Sequence, residues 1–152
     1  GTNGATGPTG PTGANGTNGA TGPTGPNMFS VFYNSAGSLA DNRYLRWTSQ
    51  ANQEFEAQLL MGFTGTISNL NILLDVAPGS TGPTAYTRTF TIRKNGVNTA
   101  LQVVISGSSL QGSNNVNIIS FIPFDKISLL HTQSSINMLQ SNAIGTAILK
   151  II

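Results

Sequence analysis

The chain has 152 residues and no cysteine, so disulfides and thiolate metal sites are excluded. Its formal net charge is only +2 and its seven Lys and Arg residues are scattered, so it lacks the basic stripe of a nucleic-acid-binding protein. No apolar run approaches the ~18 residues that a membrane-spanning helix needs, so we expect no membrane span.

The first part of the sequence has glycine at every third position. These glycines are Gly1, Gly4, Gly7, Gly10, Gly13, Gly16, Gly19, Gly22 and Gly25. Three polyproline-like strands wound around one axis leave room at that axis only for a hydrogen side chain. Residues 1–27 therefore predict a collagen-like stalk and hence a homotrimer. At about 3.1 Å per residue the stalk would be roughly 80 Å long.

The composition of the stalk predicts a weak triple helix. Its four prolines all stand at the second triplet position, and no charged residue precedes Asp41. We therefore expect residues 28–152 to form a head that holds three strands in register. Threonines at the third position point away from the axis. Those that follow proline are candidate O-glycosylation sites, the alternative being that they only solvate the stalk; they are Thr9, Thr12 and Thr24.

Beyond the stalk the sequence period changes from three to two, which is typical of β-strands. A half-buried strand is predicted over residues 55–63, where Phe55, Met61 and Phe63 belong to an alternating apolar series. Another strand is predicted over 70–76, with an apolar residue at every second position.

The clearest hairpin signal lies further along the sequence. Phe90 and Ile92 share one face of a predicted strand, and Asn95-Gly96 follows as a two-residue turn. Further strands are predicted near 29–33, 44–47, 117–122, 127–131 and 144–151, separated by loops at 77–85, 107–115 and 133–142.

These elements predict an all-β head, an antiparallel β-sandwich with jelly-roll topology. Several of its strands are apolar on both faces, notably 29–32 and 73–74. Because a single sandwich would leave the second face in water, we expect three heads to pack around a common axis.

No arrangement of residues in the sequence points to catalysis. His131 is the sole histidine and follows an apolar run, so we expect a core or interface position for it. Glu54 and Glu56 would share one strand face, where a solvated edge is favoured over a Ca²⁺ site or an acid–base pair. The sequence therefore predicts no enzyme, no cofactor and no metal site.

One cluster contains the residue types that dominate binding energies, namely Arg43, Arg46 and Trp47. Such side chains combine a large contact area with a charge or a polar group. Two interpretations stay open: the cluster seals a subunit interface, or it forms a patch that contacts a surface glycan or a host receptor.

Three features combine in this sequence: uncharged Gly-Pro-Thr and Gly-Ala-Thr triplets within 1–27, the hairpin at 90–96 and a final strand at 147–151. Together they resemble the collagen-like glycoproteins of bacterial spore surfaces, the BclA-type proteins that form hair-like filaments on the exosporium. The resemblance implies a C1q/TNF-like trimeric jelly roll for the head and O-glycans on stalk threonines. The triplets that contain asparagine depart from the family pattern.

The function expected from these observations is structural. A trimeric head nucleates and caps a collagen-like fibre that is displayed extracellularly, as an exosporium filament on a spore surface. A segment upstream of Gly1 is expected to anchor the filament to a partner. The alternative is a phage or giant-virus fibre on the virion surface, whose head is a tip module that binds a receptor or a glycan.

Overall fold

The computed structural model describes residues 1–22, 25, 27–46 and 48–152. In this part of the protein the head is all-β with antiparallel pairing, as the sequence predicts, and the described stalk residues before Asn27 are exposed and belong to no strand. In sequence order the strands are β1 (Met28–Asn34), β2 (Arg43–Leu45), β3 (Gln50–Ala51), β4 (Leu59–Leu60), β5 (Gly65–Leu74), β6 (Ser80–Thr81), β7 (Thr84–Ala85), β8 (Thr87–Lys94), β9 (Val97–Ser106), β10 (Gln111–Asn114), β11 (Ile119–Phe121), β12 (Lys126–Gln133) and β13 (Ala143–Ile151).

The strands form two facing sheets and a small separate hairpin, β6-β7. The first sheet has the order β1-β13-β5-β10, and β11 pairs with β5 further along the edge that β10 occupies. The second sheet has the order β3-β2-β12-β8-β9, and β4 also pairs with β12. Four of the pairings are nested along the sequence, because β1 pairs with β13, β2 with β12, β5 with β10 and β8 with β9.

The core lies between the two sheets, where alternate residues of facing strands meet. Leu70 and Ile72 of β5 pack in one cluster with Phe90 and Ile92 of β8, and each of the four is at most 3% exposed. Burying a side chain of this size stabilises the fold by roughly 1.5–3 kcal/mol. The period-two pattern of the sequence therefore identifies the central strands correctly.

The hairpin predicted at Asn95-Gly96 is confirmed. These two residues join β8 to β9 with positive φ angles of 51° and 82°, which match the turn type whose twist fits the flanking strands. The Asn95 side chain is held at both ends: its Nδ2 donates to Asp125 Oδ1 at 2.7 Å, and its Oδ1 accepts from Lys126 N at 2.8 Å. The turn is thereby fixed to the start of β12.

The strand predicted over residues 55–63 is wrong. Glu54–Ala57 forms a 3₁₀ turn, and only Leu59–Leu60 pairs, as β4. Phe55 is 81% exposed, although the alternation of the sequence places it on an apolar face. The alternation fails because Glu54, rather than Phe55, makes the contacts that hold this segment on the second sheet.

Glu54 is bound to the second sheet by two polar contacts. Its Oε1 lies 3.1 Å from Arg93 Nε and accepts a hydrogen bond from Ser128 Oγ at 2.6 Å. Glu54 therefore neutralises a partly buried arginine, and it does not form a solvated carboxylate pair with Glu56 on a strand.

The loop predicted over 107–115 contains β10, which the sequence analysis missed. Its residues are polar or glycine, so they give no apolar alternation. Gly112 lies where β9 approaches closely, because a Cβ added there would stand 2.5 Å from Val103 Cγ1 and 3.1 Å from Ile105 Cγ1. Close packing between the sheets, rather than a turn, explains glycine at this position.

The two ends of the sandwich differ. At the end where the stalk enters, Ile151 N donates to Asn27 O at 3.0 Å, so the last strand lies beside the first residue before β1. At the opposite end, Asn142 N donates to Asp75 Oδ1 at 2.6 Å and fixes the loop 133–142 to the end of β5. This hydrogen bond and others from the same loop hold the pKa of Asp75 below its ordinary value.

Candidate functional site

The outer face of the first sheet has exposed apolar side chains among uncharged polar ones and carries no charge at its centre. Leu73 of β5 and Ile144 of β13 are register partners, and Phe32 of β1 lies diagonally beside Ile144. All three side chains are about half exposed: Leu73 is 47% exposed, Ile144 53% and Phe32 57%. With their polar neighbours they form what we call the first-sheet face, which consists of Phe32, Asn71, Leu73, Gln111, Ser113, Ile144 and Thr146.

A shallow depression of about 480 Å³ lies in the first-sheet face and spans β10, β5 and β13. Its lining contains amide, hydroxyl and aliphatic side chains, and no acidic or basic one. Depletion of charge around exposed apolar groups distinguishes the centre of a protein–protein interface from ordinary surface. The composition of this face therefore suits burial against another protein surface.

A β-bulge at Asn69 sets which residues of β5 reach this face. Thr146 is opposite Asn71 whereas Ile148 is opposite Ser68, so β5 carries one extra residue there. Asn69 has a φ of 53°, a left-handed conformation that asparagine tolerates better than most residues. The bulge keeps apolar residues on both sides of it in the core and points Asn71 and Leu73 outward.

Of the predicted arginine–tryptophan patch, Arg43 belongs to the second sheet, whereas Arg46 lies beside the first-sheet face, because it bridges to Asn34 of β1 and shares a groove with Phe32. Arg43 begins β2, and Arg46 follows that strand and donates from Nε to Ser49 Oγ at 3.1 Å. Trp47 lies outside the described residues. Arg46 also lines a groove of about 470 Å³ between β1 and residues 56–59. A role for these residues in an interface or in ligand binding stays a prediction.

In the stalk, the nine predicted triple-helix glycines, Gly1 through Gly25, have open space around them. A Cβ built at any of the nine would meet no atom within 4 Å. One strand alone thus supplies no steric reason for glycine at these positions. Of the candidate glycosylation sites, Thr9 and Thr12 are exposed, and Thr24 lies outside the described residues.

No family model matches the chain, and no curated protein matches it. Within the described ranges, no helix has the length and apolar character needed to cross a bilayer. The same ranges contain no group of three or more His, Asp or Glu side chains positioned to hold a metal ion.

The head contains a buried polar cluster at the end away from the stalk; the core position predicted for His131 is confirmed, whereas the burial of Arg88 was missed. Arg88 and His131 are polar residues on neighbouring strands of the second sheet. They lie among core residues and are only 1% and 0% exposed. The Arg88 guanidinium donates from Nη2 to Leu139 O at 2.7 Å and from Nη1 to Gln133 Oε1 at 3.0 Å. The spacing of two between Arg88 and Phe90 was the available signal, since it places both on the core face of β8.

The hydrogen bonds of His131 define its protonation state. Its Nδ1 lies 2.9 Å from Ala40 O, which can only accept, so Nδ1 carries the proton. Nε2 is then free to accept from Arg88 Nη1, which lies 3.4 Å away. Burial lowers the pKa of His131 to about 4, and the nearby Arg88 charge acts in the same direction. His131 is therefore a neutral structural residue at neutral pH.

Proposed function

We propose that this protein is a structural, non-enzymatic filament protein whose head trimerises and holds three collagen-like strands in register. The filament is displayed outside the cell on a spore surface, as the resemblance to exosporium glycoproteins implies. The observation that carries the proposal is the first-sheet face, with half-exposed Phe32, Leu73 and Ile144 and no central charge. It belongs to the sheet whose edge strand, β1, directly follows the stalk.

The geometry of the stalk supports a multi-stranded assembly. Glycine at every third position has a steric purpose only when other strands occupy the space that one strand leaves open. Three wound strands would also deliver three β1 strands close to one axis, which brings the three heads together. The glycine period thus favours three strands, and the exposed apolar side chains of the first-sheet face independently favour association of the heads.

The connectivity of the head supports a jelly-roll topology. Nested pairing of β1 with β13, β2 with β12, β5 with β10 and β8 with β9 is the arrangement of a polypeptide folded as a jelly roll. Trimers of this architecture would place the first sheet, rather than the second, toward the neighbouring subunits.

The mechanism that follows is registration by effective concentration. The stalk has few prolines and no ion pairs, so isolated strands associate weakly. Heads that associate first raise the local concentration of the strands to the millimolar range, and the triple helix then winds away from the head. Burying the exposed half of a side chain such as Phe32 contributes about 1–2 kcal/mol per subunit to this association.

A matched pair of variants tests the proposed surface. Phe32→Asp places a carboxylate on the first-sheet face, whereas Phe55→Asp places one on the exposed 3₁₀ turn that packs on the second sheet. Light scattering and native mass spectrometry of the 152-residue protein should find trimers for the wild type and Phe55→Asp, and monomers for Phe32→Asp. Circular dichroism should show loss of the stalk's melting transition only for Phe32→Asp. A monomeric wild type, or a Phe32→Asp trimer with an unchanged melt, would refute the proposal.

The clamp mechanism has its own test. A peptide of residues 1–27 should show no cooperative triple-helix melt at micromolar concentration near room temperature, whereas the 152-residue protein should show one. A cooperative melt of the peptide alone above room temperature would mean that the head is not needed for registration.

For the location, antibodies against the head should label the outer surface of intact spores of the source organism.

A further inference from the structure

Four Asn-Gly dipeptides occur in the sequence, three in the stalk and one in the head. Their asparagines are Asn3, Asn15, Asn18 and Asn95. Asparagine followed by glycine is the sequence most prone to spontaneous deamidation, because glycine has no side chain to hinder its own backbone nitrogen. The protein therefore has four candidate deamidation sites, three in the stalk and one in a turn of the head.

The reaction is intramolecular and needs only water. The backbone nitrogen of the glycine loses its proton and attacks the amide carbon of the asparagine side chain, forming a new C–N bond. The original bond between that carbon and the amide nitrogen breaks, ammonia leaves with a proton from solvent, and a five-membered succinimide remains. Water then opens either C–N bond of the ring and gives aspartate or isoaspartate, so that the net change is asparagine plus water to acid plus ammonia.

The head asparagine is held away from this reaction. Both ends of the Asn95 amide are engaged, by Asp125 at 2.7 Å and by Lys126 N at 2.8 Å. Its amide carbon cannot reach the Gly96 nitrogen unless these hydrogen bonds open. Two hydrogen bonds of ordinary strength slow a reaction that requires their opening by roughly ten- to hundredfold.

The stalk asparagines have no such restraint from their own strand. All three are exposed, and in the described part of the protein their side chains make no hydrogen bond. Winding would provide a different restraint, since a polyproline-like strand fixes ψ near +145°. Ring closure requires ψ to rotate away from that value, so a wound strand resists the attack and an unwound strand allows it.

We propose that Asn3, Asn15 and Asn18 are spontaneous deamidation sites whose reactivity is controlled by winding of the stalk. This step rests on the proposed trimeric function. Each conversion adds a negative charge to a segment that has none, and the isoaspartate route adds a backbone methylene that displaces the next glycine from the axis. Local unwinding at one site thus makes further unwinding easier, while the head turn at Asn95 stays intact.

The experiment uses the 152-residue protein in mildly alkaline buffer, at temperatures below and above the stalk's melting transition but below unfolding of the head. Mass spectrometry of peptides, with chromatographic separation of aspartate and isoaspartate, measures conversion at each site over time. Conversion at Asn3, Asn15 and Asn18 should accelerate at least roughly tenfold on melting, beyond the temperature dependence of an unstructured Asn-Gly peptide. Asn95 should convert only after the head is unfolded in urea.

Control variants separate the outcomes. Asn→Gln at positions 3, 15 and 18 should abolish the stalk signal, because glutamine must close a less favourable six-membered ring. Equal deamidation rates in the triple-helical stalk and in the same stalk after melting would overturn the proposal. The absence of conversion in the melted stalk would overturn it as well. If no triple helix forms at any temperature and the stalk asparagines convert at the peptide rate, the trimeric function fails while the chemical assignment of the sites stands.

Discussion

The buried imidazole of His131 should make the head lose stability in a narrow and predictable pH range. The unfolded protein binds a proton at this side chain near pH 6.5, whereas the folded protein binds it only near pH 4, because burial lowers the pKa of His131 to about 4. Stability is therefore complete above pH 6.5 and decreases as the pH falls from 6.5 to 4. The whole difference corresponds to about 3 kcal/mol per subunit, of which about 2 kcal/mol is already lost at pH 5.

The assay is urea unfolding of the 152-residue protein, monitored by far-ultraviolet circular dichroism at pH values from about 7.5 to about 4.5. His131→Gln keeps a donor and an acceptor for Ala40 and Arg88 but cannot titrate, so its stability should be lower at neutral pH and nearly flat across the range. Since the protein has no other histidine, and the lowered pKa values of Asp75 and Asp125 cost stability only as the pH falls toward and below the ordinary carboxyl pKa near 3.8, the loss of stability between pH 6.5 and 5 should come mainly from His131. Parallel slopes for the wild type and His131→Gln would refute the reasoning.

Three other perturbations have defined outcomes. Gly13→Ala should lower the stalk's melting temperature without changing unfolding of the head, because a methyl group does not fit at the triple-helix axis. Thr12→Ala should leave the melting temperature nearly unchanged. Equal effects of the two variants, measured by circular dichroism, would contradict the triple helix. Asn69→Val should destabilise the head by about 1–2 kcal/mol in urea unfolding, since a β-branched residue is strained at positive φ, while Asn69→Gly should cost much less. Asp75→Ala should expose the loop 133–142 to limited proteolysis mapped by mass spectrometry, and an unchanged cleavage pattern would show that its hydrogen bonds do not hold the loop.

The strands that the sequence predicted well are those whose two faces meet different environments. Around Asn95-Gly96 the turn residues demand positive φ and the flanking residues alternate, so local and long-range signals agree. Around Phe55 they conflict, because the alternation is overridden by an ion pair between Glu54 and Arg93 that no local pattern reveals. Strand β10 was missed for a different reason. Close packing against β9 leaves room only for glycine at position 112, so the strand has no apolar alternation in its sequence.

The candidate surface was partly predictable. Strands that are apolar on both faces indicated a second buried face, and Phe32 and Leu73 indeed stay exposed on the single head. The sequence did not show that these residues lie side by side, because their adjacency depends on the sheet order and on the bulge at Asn69. The burial of Arg88 was equally hidden, since its acceptors come from a loop about 50 positions away in the sequence.

The hydrogen bond between Ile151 and Asn27 has a practical consequence for anyone who wishes to use this head as a display scaffold. A cargo peptide fused after Ile152 would emerge beside residues 1–27, where the strands of the proposed fibre would crowd it. The β6-β7 hairpin lies at the far end and has an exposed two-residue tip at Gly82 and Pro83. Grafting an epitope into that tip would present it outward, where an antibody has room to bind.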